Sequence, residues 1–130
     1  KQITIPYVRE KMTISIATSM FPYRMVLSRK KPVELKIDLT SRNEKDAMVT
    51  LQVLPSRNLS FDKSGLKTGF VQKIDKIAPN EKKKFTLDIF PKGYVGAGEY
   101  DVTIKVSEHF HSYEYVAREY TKNLTVTVEE

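Results

Sequence analysis

The chain has 130 residues, 40 % of them hydrophobic and 29 % charged, with a formal net charge of +6. That balance excludes a disordered segment and sets the expectation of one globular domain over residues 1–130. No apolar run approaches the ~20 residues of a membrane-spanning helix, and the lack of cysteine excludes a disulfide framework, a thiolate nucleophile and a cysteine-bound zinc.

Apolar residues at every second position dominate from the start. "QITIPYV" is a weak strand that Pro6 confines to a sheet edge, and "MTISIATS", with Met12, Ile14 and Ile16, is a firmer one. Both fall in an N-terminal edge region, residues 1–28. The clearer pattern covers 31–128. "PVELKIDLTS" sets Val33, Leu35, Ile37 and Leu39 against Glu34, Lys36, Asp38 and Thr40. "MVTLQVLP" repeats this with Val49, Leu51 and Val53. "SFDKSGLKTG" is a longer excursion with a short strand at Leu59 to Phe61, which leaves Phe61 and Phe70 in loops. "KFTLDIFP" carries Phe85, Leu87 and Ile89, "EYDVTIKVS" carries Tyr100, Val102, Ile104 and Val106, and "NLTVTVEE" carries Leu124, Val126 and Val128. Each reads as a strand with one face against a second layer. The turns between them hold the expected Pro, Gly, Asn and Asp. The fold class is therefore all-β, an antiparallel two-sheet sandwich of about seven to eight strands.

Residues 108–122 fit the alternation badly. Tyr113 and Tyr115 are odd, whereas Val116, Tyr120 and Leu124 are even. As strands they need a bulge near Tyr115. As a helix they place Phe110, Tyr113, Val116, Ala117, Tyr120 and Leu124 on one stripe. The content of Tyr, Val, Phe and Thr favours a long hairpin.

The alternating "VELKIDLTSRNEKDAMVTLQVLP", then "KIDKIAPNEKKKFTLDIFP", "GAGEYDVTIKV" and the closing "LTVTV" resemble immunoglobulin-like modules of the CARDB type, found in archaeal and bacterial surface proteins. The marks are a proline-plus-acid turn (Pro79, Glu81) and "GEY" opening the penultimate strand (Gly98, Glu99, Tyr100). The resemblance implies that the Tyr100 hydroxyl ties back to the preceding loop, as in a tyrosine corner. It also implies a non-catalytic binding, adhesion or spacer role at a cell surface, with a cytoplasmic setting as the alternative.

Other readings are weighed on residues. His109 and His111 on a regular strand point the same way, about 7 Å apart, and could share a metal ion. Only Asp101 joins them on that face, with Lys105 opposing a cation, so no metal and no cofactor is expected. No nucleophile elbow or phosphate-binding glycine loop is present, and "GYVGAG" (93–98) reads as a turn, so an enzyme is not expected. "RKK" (29–31) and "KKK" (82–84) raise nucleic-acid binding as an alternative, but both lie at turns with the aromatics directed inward. Abundant lysine with scarce Asn, Gln and Cys matches heat-adapted proteins and suggests a thermophilic prokaryotic source. "KQITIPYVREKM" lacks a signal-peptide pattern, and a chain opening on Lys1 is expected to be trimmed or processed. What remains is recognition of a protein or carbohydrate by a hairpin tip carrying His109, Phe110, His111, Tyr113, Tyr115 and Arg118. Nothing in the sequence sets the oligomeric state.

Overall fold

The computed structural model describes residues 13–93 and 95–130. The expected strand "QITIPYV" lies outside them. Nine strands run in chain order: β1 Ile14–Phe21, β2 Arg24–Val26, β3 Val33–Ser41, β4 Ala47–Pro55, β5 Leu59–Ser60, β6 Phe70–Ile77, β7 Lys82–Pro91, β8 Gly98–Phe110 and β9 Ser112–Glu129. They form a four-stranded sheet, β1-β3-β7-β5, and a five-stranded sheet, β2-β9-β8-β4-β6. The first order is the ABED sheet of an immunoglobulin domain, and β9-β8-β4 is its GFC sheet with β6 added beside C.

Alternation does the positioning. On β3, Val33, Leu35, Ile37 and Leu39 are fully buried, and their register against β7 sets Leu35 beside Leu87 and Val33 beside Ile89. Across the interior lie Val49, Leu51 and Val53 of β4, Val102, Ile104 and Val106 of β8, and Val126 and Val128 of β9. Burying each such side chain contributes about 1.5–3 kcal/mol, so this shared interior is the main source of stability. Tyr100 near the start of β8 donates its hydroxyl hydrogen to the Gly96 carbonyl at 2.8 Å, which closes the tyrosine corner. Glu81 accepts from the Ala78 N–H at 2.8 Å across the Pro79-Asn80 turn.

Several expectations need correction. The strand count among the described residues is nine, because β2 and β6 are added. In the N-terminal region, β1 borders one sheet, antiparallel to β3, and β2 borders the other, parallel to β9. Phe61 lies in the loop after β5, as expected, with its ring buried in the core. Phe70 opens β6 and meets Phe85 edge-on at 6.4 Å, both rings packed against the core. Lys82–Lys84 open β7 and do not form a turn.

The segment after Glu108 is a hairpin, as strand chemistry favours. The β8–β9 ladder runs unbroken from Gly98↔Val128 to Glu108↔Arg118, then shifts so that His109 faces Val116 and Phe110 faces Ser112. Ala117 and Tyr113–Tyr115 are the extra residues. The shift turns Val116 to the outer face with His109, and it is half exposed.

Candidate functional site

The long strands β8 and β9 carry their hairpin past the end of the sandwich, beside the 42–46 connection between β3 and β4. In immunoglobulin-like domains these two connections share one end. Between them lies an open groove of about 860 Å³, lined chiefly by Arg42, Asn43, Lys45, Glu108, His109 and Phe110. Sequence reading singled out only the hairpin. The partner loop was legible from the resemblance alone, because such folds cluster their loops at the ends.

Glu108 points inward, where Thr13 Oγ1 and Asn43 Nδ2 donate to its two carboxylate oxygens, the latter at 3.0 Å. The Tyr120 hydroxyl contacts Thr13 Oγ1 at 3.0 Å and accepts from its N–H at 3.2 Å. These bonds tie β1, the β3–β4 connection, β8 and β9 together at the floor of the site.

On the opposite face, Thr50 Oγ1 lies 2.7 Å from His109 Nε2. A hydroxyl beside an imidazole is the opening pair of a nucleophilic site, but its activation needs an acceptor that orients the other ring nitrogen. His109 Nδ1 is buried with no hydrogen-bond partner among the described residues, so the pair lacks its third member. His111 occupies the turn itself with φ 66°, the left-handed region. The two rings therefore do not continue one strand face, as the spacing alone suggested, and the His111 ring sits tilted at 59° against Phe110, centroids 4.0 Å apart. No group of three or more His, Cys, Asp or Glu that could hold a metal ion occurs among the described residues.

Tyr113 has a role that sequence reading missed. The bulged start of β9 carries it back over the outer face of the sheet toward β6. There its hydroxyl donates to Asp75 Oδ1, Lys73 Nζ sits 5.1 Å from its ring centroid, and His109 meets it edge-on at 5.0 Å. The bond to the Asp75 carboxylate, then burial, then the carboxylate charge push the phenol up to about 12. Tyr113 is thus a clasp that fixes the hairpin from behind. No signal in the sequence pairs residues 38 positions apart. Phe110, Tyr115 and Val116 are left 62 %, 67 % and 50 % exposed at the tip. Arg118 faces Glu108 in the ladder, below the first shift.

The basic clusters do not form one patch. Arg29–Lys31 precede Val33 at one end of the β3–β7 ladder, and Lys82–Lys84 face Thr40 to Asp38 at the other. Eight residues of strand set them roughly 25 Å apart. No helix among the described residues is long and apolar enough to cross a membrane.

No protein-family model matches the chain, and no curated protein matches it. Among solved structures it is similar to native alpha-2-macroglobulin from Escherichia coli, domain MG7 to the C-terminus, with TM-score 0.65 and 14 % identity over 89 % of this chain. It spans only 16 % of that fragment. It is also similar to self-complemented MyfA, the major subunit of Myf fimbriae from Yersinia enterocolitica, with TM-score 0.51 and 18 % identity, covering 89 % of this chain and 99 % of that one. A second MyfA structure, in complex with galactose, matches at TM-score 0.50 and 16 % identity. At these identities the likeness is one of fold, and the fold is an immunoglobulin-like β-sandwich.

Proposed function

We propose that this chain is a non-catalytic recognition module that takes a protein or carbohydrate partner at the end where the β3–β4 connection meets the β8–β9 hairpin. The observation that carries this reading is the clasp. Tyr113 fastens the hairpin to β6, so the exposed Phe110, His111, Tyr115 and Val116 stand on a fixed support beside an open groove. A pre-ordered aromatic surface loses little conformational freedom on contact, which favours binding. Aromatic rings with nearby polar groups suit both sugars and protein surfaces. The fimbrial fold neighbour solved with galactose makes a galactose-containing glycan a reasonable first probe. A CARDB-type relationship and a cell-surface setting belong to the same reading, supported by the tyrosine corner and the proline-plus-acid turn.

The test is a panel of glycans, galactose included, and a displayed peptide library, with bound ligands mapped by amide chemical-shift changes. The reading expects ligands that shift 42–48 and 108–116 together. Ligands that all map elsewhere, or a panel and library that yield none, contradict it.

A further inference from the structure

At the end of the sandwich away from the hairpin tip lies a second cleft, of about 360 Å³. Strand register builds it. Phe21 pairs with Glu34 at the far end of the ladder that begins at Ile14↔Ser41. Seven strand steps, roughly 23 Å, separate that row from the β3–β4 connection. The row continues into β7, where Glu34 pairs with Asp88. Residues directly opposite on antiparallel strands share a face, so Phe21, Glu34 and Asp88 stand side by side on the outside of the sheet. Pro22 of the β1–β2 connection and Arg29, Lys31 and Pro32 of the β2–β3 connection also line the cleft.

The lining thus combines apolar rings with charges of both signs, and several of these groups are unengaged. Two carboxylates directly across a ladder repel each other. Lys36 Nζ, 3.6 Å from Glu34, offsets one of them. Among the described residues, Asp88 has no ion pair or side-chain hydrogen bond, and neither do the exposed Arg29 and Lys31. The third cation, Arg24, is already held, by Glu129 at 2.8 Å and over the Tyr23 ring at 5.1 Å. Phe21 is 80 % exposed beside them. An uncompensated acid, two uncompensated bases and an uncovered ring therefore meet in one small space.

We infer that this cleft binds a small zwitterion with an apolar body, the class of free α-amino acids with aromatic or branched side chains. Asp88, with Glu34 beside it, takes the ammonium group, and the Phe21 ring adds its own attraction for that cation. Arg29 and Lys31 take the carboxylate. Phe21, Pro22 and Pro32 cover the side chain. Charge selects this occupant. A ligand with only positive charge meets Arg29 and Lys31 unpaired, and one with only negative charge meets Glu34 and Asp88. Size agrees, because the cleft lies at the lower end of the ~300–1,000 Å³ typical of small-molecule sites. The site is separate from the hairpin tip, and its assignment does not depend on recognition there.

The experiment titrates the whole chain with phenylalanine and with leucine to about 20 mM, following amide chemical shifts. Saturable shifts around Phe21, Arg29 and Asp88 are expected, with a Kd on the order of 1 mM. Phenylpropionate lacks the ammonium group and phenethylamine lacks the carboxylate. Each is expected to bind about three- to tenfold more weakly than phenylalanine. Asp88→Asn should weaken phenylalanine by a similar factor without weakening phenylpropionate, and Arg29→Gln should do so without weakening phenethylamine. Both side chains are exposed, so these variants keep the fold. No saturable shift at these residues with either amino acid overturns the inference. So do analogues that bind as tightly as phenylalanine, or an Asp88→Asn variant whose affinity for phenylalanine is unchanged.

Discussion

Replacing Tyr113 separates its clasp from the exposed rings beside it. Tyr113→Phe removes only the hydroxyl that donates to Asp75. A hydrogen bond to a charged group can contribute more, but this one is solvent-accessible and the freed carboxylate is re-hydrated, so the loss is about 0.5–1 kcal/mol. Tyr113→Ala also removes the ring under Lys73, about 0.5–1 kcal/mol at an exposed site. The edge contact with His109 adds about 0.5–1.5 kcal/mol. The expected total for the alanine variant is about 1.5–3.5 kcal/mol, against no more than about 0.5 kcal/mol for Tyr115→Ala, whose ring is exposed. Urea unfolding of the variants measures this. The pH dependence checks the hydroxyl separately. A free tyrosine ionises near pH 10 and Tyr113 is held up to about 12, so its stabilisation is complete below about pH 10. It is lost as pH rises through about 12, so the gap between wild type and Tyr113→Phe should narrow over that window. A Tyr113→Ala variant as stable as wild type, or a gap that does not change with pH, refutes the clasp.

Leu35→Ala and Ile104→Ala remove fully buried side chains from opposite sheets and should each cost about 2–5 kcal/mol in denaturant unfolding. Tyr100→Phe keeps the ring and loses the bond to the Gly96 carbonyl, so about 0.5–1.5 kcal/mol is expected. Glu108→Leu strips the acceptors from Thr13 and Asn43. Hydrogen exchange at Thr13 and Asn43 should quicken, while the amides of Leu35 and Ile104 keep their protection.

Much of the framework was legible because a period of two survives wherever a strand is regular. Val33 to Leu39, Val49 to Val53 and Val102 to Val106 all point inward as their parity indicates. Irregular pairing hides the rest. In β6 the buried residues are Ile74 and Ile77, three apart, because the register against β4 shifts between Ala47 and Val49. That spacing imitates a helix. Val116 shares the parity of Leu124 yet faces outward, because the shift at Ala117 lies between them. At the candidate site, the exposure of Phe110 and Tyr115 followed from their place at the hairpin tip. The bonds of Tyr113 to Asp75 and of His109 to Thr50 are long-range, and no local propensity encodes them.

The recognition reading is tested most directly by the affinity of Phe110→Ala with Tyr115→Ala for a ligand mapped to the groove. Both rings stand clear of the core, so the double variant should unfold within about 0.5 kcal/mol of wild type while its binding weakens by at least about tenfold. Undiminished binding by that well-folded variant would place recognition elsewhere on the molecule.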